Sequence, residues 1–348
     1  MKKFWLISII CLLLVASSGA VFAGNPSKTG SAGALELLIP VGARGVALGG
    51  SSLSLIGGVD AIHWNPAGLA KGWGSTSVDA MFSHSDYLAS TSVDYAAIGV
   101  NLGDLGVLAL SLRSFGFGNI DETSELYPDG NGVTFSPTYV TVGLSYAKSL
   151  TDRIHLGFTT KYVSEKIVNT GASGIALDVG VLYNVGGTGP LRGLHFGVAL
   201  KNIGPNMQYT GRDLERTVVP PNSAPGAVGS PLSFAAQDFE LPASFEFGVG
   251  YDYMPISDYR LSPLVTFDNV NFGNDQYKAG VEFAFKEMFF LRGGYTAVDG
   301  SKDNYVFGGT FGAGFAYDLG AFGIEIDYAY MTAKVFNGVN VLSLRLKM

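Results

Sequence analysis

The feature that most constrains the fold is an alternation of apolar residues with small or polar residues, at a period of two, from about residue 75 onward. It recurs in segments of about 9 to 13 residues, separated by clusters of Gly, Asp, Asn and Pro, and this length suits membrane-crossing strands. In residues 305–317 the pattern predicts an aromatic face opposite a face of small residues. In residues 322–330 the aromatic and aliphatic side chains alternate with Glu and Asp. Such strands are expected to face lipid on one side and a polar lumen on the other.

Fourteen segments carry this pattern, and an even number returns the chain to the side of the membrane from which it started. Backbone polar groups find no water in hydrocarbon, so the sheet must close on itself. The prediction is an all-β membrane protein, a 14-stranded antiparallel transmembrane β-barrel over residues 75–348. The segments are 75–83, 93–102, 105–117, 137–149, 152–166, 173–185, 192–202, 241–254, 257–269, 275–286, 288–298, 304–318, 321–332 and 338–348.

The lengths of the connections support this topology independently. Outer-membrane barrels alternate short periplasmic turns with longer outer loops. The two long connections, at about 118–136 and 203–240, are the third and the seventh, so both fall on the outer side. The second is rich in proline and is expected to extend over the barrel mouth. A soluble β-sandwich or propeller also alternates, but its outward face would be polar.

Composition excludes several other classes of protein. The chain has 48 Gly, 23 Phe and 17 Tyr with only 15% charged residues, and no stretch of 18 apolar residues follows the N-terminal leader. Helical membrane spans are therefore excluded. Lys and Arg number 22 against 29 Asp and Glu, so the basic surface of a nucleic-acid-binding protein is absent.

The N-terminus predicts export. Residues 1–23 combine a basic start, an apolar run and a small-residue cleavage site, as in a cleaved signal peptide. Cys11 is the only cysteine and lies in that run, so the mature chain has no disulfide or thiolate site. Residues 24–74 follow no strand pattern, and we expect a leader and a compact hatch inside the lumen. The expected location is the cell outer membrane, with periplasmic N- and C-termini.

Two motifs in the hatch carry a family resemblance. Gly-Ala-Arg-Gly-Val-Ala-Leu-Gly-Gly at 42–50 and Asp-Ala-Ile-His-Trp-Asn-Pro-Ala-Gly-Leu-Ala at 60–70 resemble the opening of the PorV/PorQ family, within the FadL fatty-acid-transporter superfamily. The resemblance implies a fourteen-stranded outer-membrane barrel with an N-terminal hatch. The hatch residues expected to have structural or gating roles are Arg44, Asp60, Trp64, Asn65, Pro66 and Gly68.

Two functions remain open. The superfamily implies a conduit or binding site for small hydrophobic molecules across the outer membrane. The alternative is a PorV-like component of type IX secretion, which binds exported proteins or secretion-system subunits. Expected partners are therefore outer-membrane lipid, a small hydrophobic ligand or, in the alternative, secretion proteins.

Strand parity also predicts which charged side chains face the lumen. Both signs are mixed, which favours structural ion pairs over a charged permeation path. These charges are Arg113, Lys161, Asp178, Glu246, Arg260, Glu282, Arg292, Glu325 and Asp327. Pro263 interrupts a predicted strand and indicates a bulge or a kink that opens the wall sideways.

Neither an enzyme nor a cofactor is predicted. The four histidines lack the spacing of metal ligands, and no serine has the surroundings of an activated nucleophile. His155 and His195 are expected to face the lumen as solvated residues.

Overall fold

The computed structural model describes residues 30–219, 222, 224, 228–300, 305–320 and 322–348. The predicted signal peptide, residues 1–23, lies outside the described residues. The part of the chain that the structure describes contains no helix long and apolar enough to cross a membrane.

Within the described residues, fourteen antiparallel strands form one continuous wall, each paired with the next along the chain, and the last pairs with the first. The predicted closed fourteen-stranded barrel is confirmed. The strands are β1 Val78–Asp86, β2 Ser92–Asn101, β3 Val107–Gly116, β4 Thr138–Ser149, β5 Ile154–Ile167, β6 Thr170–Asn184, β7 Leu194–Ile203, β8 Ser244–Tyr251, β9 Tyr259–Val270, β10 Gln276–Phe285, β11 Phe289–Val298, β12 Phe307–Asp318, β13 Gly323–Ala333 and β14 Val339–Lys347.

The outer face of this wall is apolar. In β3, Leu108, Leu110 and Leu112 are 42 to 55% exposed, while the alternate residues Val107 and Ala109 are buried. Exposed large apolar side chains on a strand face would be unfavourable in water, whereas hydrocarbon accommodates them. The alternation therefore separates a lipid-facing surface from the lumen, as the sequence pattern predicts.

The two ends of the barrel differ. The connections at 117–137 and 204–243 lie at one end, which we call the long-loop end, and Met348 lies at the other, which we call the C-terminal end. Each long connection contains a short hairpin, Ile120–Asp121 with Thr134–Phe135 and Glu215–Val218 with Ser230–Ser233.

Part of the connection 204–243 turns back and packs against the start of the described chain. Met207 pairs with Phe239 and is buried, and Ala32 forms a parallel bridge with Glu240. The first described residues of the chain therefore lie toward the long-loop end, opposite Met348. The predicted periplasmic position of the N-terminus concerns earlier residues, outside the described part.

One strand departs from the predicted alternation. Pairing of β12 with β13 shifts register between Phe307 and Thr310, which is a β-bulge at a Gly-Gly step. Phe311 faces lipid, but Phe307 packs inward, and Tyr305 lines the lumen with it. The prediction of one aromatic face over the whole of 305–317 is therefore wrong at its start, because the inserted residue inverts the parity.

The segment before β1 lies inside the lumen as a series of short helices. They are the α-helix α1, Ala43–Ala47, and the 3-10 helices Leu35–Leu38, Ser52–Ser54, Gly58–Ala61 and Pro66–Ala70. Further 3-10 turns at Leu88–Ser90, Gly103–Leu105 and Arg212–Leu214 belong to connections between strands. We call residues 34–74 the hatch; between them its helices contact β1, β2, β4 to β9 and β11 to β14. The apolar core therefore lies between the hatch and the wall.

Candidate functional site

The first motif of the hatch forms α1 and the turn after it. A side chain at Gly45 would overlap the indole ring of Trp64, which lies against its Cα. Gly49 has a φ of 63° and approaches the backbone of Tyr295 so closely that an added Cβ would lie 2.7 Å from its nitrogen. Gly49 is therefore needed both for its left-handed conformation and for its contact with the wall.

The second motif is fixed by Asn65. Its Oδ1 accepts a hydrogen bond from Ala67 N at 3.1 Å and caps the helix Pro66–Ala70, while Nδ2 donates to Leu53 O and to Val181 O of β6, both at 3.2 Å. Pro66 begins that helix, where its missing N–H costs nothing. An added Cβ at Gly68 would lie 2.5 Å from Ile56 O. One amide therefore ties together two turns of the hatch and the wall.

Arg44 anchors the hatch to the wall electrostatically. Its guanidinium donates to both carboxylate oxygens of Glu282 at 2.9 Å. Glu282 also accepts from Arg260 at 3.0 Å and from Arg292 at 2.7 Å, and Arg292 pairs in turn with Asp327. This buried cluster, which we call the Glu282 cluster, joins Arg44 of the hatch to four of the residues that sequence parity singled out, Arg260, Glu282, Arg292 and Asp327.

A second anchor holds the start of the barrel. Arg345 pairs with Asp79 at 2.5 Å and donates to Gly57 O of the hatch at 3.0 Å, while Asp79 accepts from Val59 N at 3.0 Å. Asp60 is buried beside this anchor, and burial raises its pKa to about 6 although the nearby Arg345 and Arg44 oppose the shift.

The structure places the other predicted lumen-facing charges inside the barrel, mostly in pairs within the wall. These contacts are Lys161–Asp178 at 2.5 Å, Lys201–Glu246 at 2.5 Å, Lys278–Asp268 at 2.6 Å and Arg345–Glu325 at 3.7 Å. The two members of each pair neutralise one another, which agrees with a structural role for these residues.

Arg113 instead forms hydrogen bonds to the hatch. It donates to Glu36 O at 2.9 Å and to His63 Nδ1 at 2.7 Å. Burial, together with the charges of Arg113 and Lys201, holds the pKa of His63 well below its usual range. The imidazole is therefore neutral and accepts the bond at Nδ1.

Pro263 lies on the lipid-facing side of β9. Pairing with β10 continues through it, opposite Val281, whereas the pairs with β8 stop at Gly250, opposite Leu264, and resume at Tyr253, opposite Leu261. The register is the same on both sides of this gap, so the pairing shows no bulge at Pro263, and a kink that opens the wall stays a prediction.

The two predicted lumen histidines lie toward the C-terminal end. His155 contacts Ser149 at 2.7 Å and Asn184 at 3.1 Å. His195 lies 3.6 Å from Asp252. The amine of Lys71 donates to Leu55 O of the hatch at 3.2 Å. The two histidines have separate partners, and both are buried, at 7% and 4% exposed, so the expectation that they are solvated is wrong.

A cavity of about 740 Å³ lies between the hatch and the long-loop end. Aromatic rings form much of its lining, and several touch in series; the ring centres of Phe115 and Phe117 are 4.7 Å apart, and those of Phe117 and Tyr139 are 4.8 Å apart. The aromatic lining residues are His63, Trp64, Tyr87, Phe115, Phe117, Tyr139, Tyr209, Phe239, Tyr305 and Phe307. Its size and apolar lining are typical of a site for small molecules.

Acidic groups also reach the cavity. Glu36 and Glu165 lie together at its wall, and Glu165 accepts a hydrogen bond from the Tyr209 hydroxyl. Burial and the negative charge of Glu165 raise the pKa of Glu36 to about 7, although Arg113 opposes the shift. The lining further includes Lys201 with Glu246 and Lys278 with Asp268.

Sequence reasoning missed most of this cavity. Glu36 lies in a hatch segment without periodicity, and Phe239 returns into the lumen from a connection expected to lie over the mouth. Only the Gly-Gly step at 308–309 could have signalled the bulge that turns Phe307 inward.

No protein-family model and no curated protein sequence matches the chain. Among solved structures, the fold is similar to the CymD monoaromatic hydrocarbon channel, with 13% identity over 89% of this chain and 97% of that one, and a TM-score of 0.56. The Pseudomonas putida toluene transporter TodX shares 12% identity over 88% and 96%, with a TM-score of 0.53. A Pseudomonas aeruginosa FadL homologue shares 11% over 89% and 98%, with a TM-score of 0.51. The chain therefore has the fold of the FadL-like outer-membrane channels.

Proposed function

We propose that this protein is an outer-membrane channel or binding protein for small hydrophobic molecules. Residues 1–23 act as the signal peptide that directs its export and is then cleaved. The observation that carries the proposal is the aromatic cavity of about 740 Å³ above the hatch. A lipid-facing exterior and a lumen that holds the hatch support it. The solved structures of similar fold include a monoaromatic hydrocarbon channel and a toluene transporter.

The test is binding of a neutral aromatic hydrocarbon. We would measure equilibrium dialysis of ethylbenzene against the protein in lipid nanodiscs and subtract empty nanodiscs. The variant Gln276→Trp places a large ring inside the cavity, whereas Tyr277→Trp changes the adjacent, lipid-facing residue of β10. We expect saturable binding that Gln276→Trp weakens and Tyr277→Trp preserves. Binding that both variants leave equal would place the ligand outside the cavity and contradict the proposal.

The type IX secretion alternative rests on the PorV/PorQ resemblance at 42–70 alone. In the structure most of those residues are buried in the lumen, where Asn65 ties the hatch to the wall. None of the similar structures supports it, so it stays a hypothesis. Co-purification of secretion proteins with this protein would support it.

A further inference from the structure

The charges that line the cavity are unbalanced. The described lining residues include four carboxylates, from Glu36, Glu165, Glu246 and Asp268, but only two amines, from Lys201 and Lys278. Each lysine contacts one carboxylate, Glu246 or Asp268, and within the described part of the chain no basic side chain pairs with the carboxylates of Glu36 and Glu165. Arg113 approaches Glu36 through the backbone oxygen.

Among the residues that the structure describes, three carboxylate oxygens around the cavity are buried without a hydrogen-bond partner. They are Glu36 Oε1, Glu246 Oε2 and Asp268 Oδ1, on residues that are 7%, 2% and 5% exposed. A buried acceptor without a donor costs free energy. A ligand that carries N–H or O–H donors would satisfy these oxygens, whereas a hydrocarbon would not.

The aromatic rings favour a cation over a neutral donor. The faces of Phe and Tyr rings attract positive charge at distances within about 6 Å of the ring centre. Tyr209 lies beside both Glu165 and Phe239, so rings and carboxylates occupy the same side of the cavity. A ligand carboxylate would instead meet like charges at Glu36 and Glu165.

We propose that the cavity selects hydrophobic molecules that carry a protonated amine over those that carry a carboxylate. The apolar body of the ligand lies among Phe115, Phe117 and Phe307, and its ammonium group donates to Glu36 and Glu165. The inference rests on the proposed function and names the substrate class of the same site.

The experiment compares three probes that share one body: 3-phenylpropylamine, 3-phenylpropanol and 3-phenylpropanoate. Each is dialysed at pH 8 against the wild-type protein in nanodiscs of zwitterionic lipid. We expect the amine to bind most tightly and the carboxylate most weakly, with at least about a tenfold difference in Kd between them.

Glu36→Gln tests the site directly, because it removes a carboxylate that forms no ion pair with a basic side chain of the described residues. We expect it to weaken amine binding about tenfold and to leave the alcohol unchanged, which also shows that the cavity is intact. Glu125→Gln is the matched control, since Glu125 is exposed in the connection 117–137.

The outcomes separate the two proposals. Carboxylate binding as tight as amine binding would overturn the selectivity while the hydrophobic site stands. Amine binding unchanged in Glu36→Gln would also overturn it. If the wild-type protein bound none of the three probes or ethylbenzene, the proposed function itself would fail.

Discussion

At the scale of single residues, we expect Glu36 to make the binding of an amine depend on pH. Its pKa is raised to about 7 by burial and by Glu165, against the opposing charge of Arg113. Below pH 7 the carboxyl is mainly protonated and neutral, and above it the group gains its charge. We therefore expect the affinity for 3-phenylpropylamine, measured by dialysis, to rise between pH 6 and pH 8. Glu36→Gln should flatten that rise, and an equally steep profile in the variant would refute the assignment.

Gly45 offers a second test at this scale. A methyl group there would overlap Trp64, and overpacking of this kind costs about 1–3 kcal/mol. In Gly45→Ala we expect faster hydrogen exchange of backbone amides over residues 43–70 than in the wild type, with the wall unchanged. Gly293→Ala is the control, because its Cβ would meet only Thr310 O at 3.8 Å. Equal exchange in both variants would contradict the packing described.

At the scale of elements, the Glu282 cluster joins α1 to the wall. Glu282→Gln removes the charge shared by Arg44, Arg260 and Arg292, and breaking a buried pair costs about 3–5 kcal/mol. Glu287→Gln removes a carboxylate that also contacts Arg260 but is exposed, so about 0–1 kcal/mol is expected. Urea unfolding in lipid vesicles measures both. Similar losses would mean that the cluster contributes no more than a surface pair.

Elements with a regular pattern were predictable. A wall with lipid on one side and a lumen on the other imposes period two on each strand, so the pattern located all fourteen strands and sorted Glu282 and Arg292 inward. Features that interrupt the alternation of inward and outward side chains were not predictable. The bulge before Thr310 reverses parity, and the inward turn of Phe239 depends on pairing with Met207, which is distant in sequence.

The hatch was partly predictable for the same reason. Asn65, Pro66 and the glycines at 42–50 stand in motifs whose turn chemistry is local, so a capped turn and a short helix followed from them. Glu36 gains its importance only from Glu165, which lies on β5 and meets it across the lumen. The spacing of residues in the sequence gives no sign that Glu36 and Glu165 lie close together in the fold.

At the scale of the whole molecule, the barrel should not need its hatch to fold. Pairs within the wall, among them Lys161–Asp178 and Arg345–Asp79, remain when residues 34–74 are deleted. We expect the deletion variant to keep its β-sheet circular dichroism and to conduct ions across planar bilayers, whereas the full-length protein conducts little. A deletion variant that folds but does not conduct would show that the hatch is not the obstruction.

The hatch gives the barrel a floor, and the cavity lies above it toward the long-loop end. While the hatch stays in place, we expect a ligand to exchange with the cavity through the long-loop end alone, with no net flux across the barrel. The occupancy of the cavity then follows the ligand concentration on a single side of the membrane. Ligand affinity and ligand release across the membrane are then controlled by different residues. We expect substitutions among the aromatic rings and carboxylates of the cavity to change the amount of ligand bound, and substitutions of Arg44 or Asn65 to change the rate at which ligand passes the hatch.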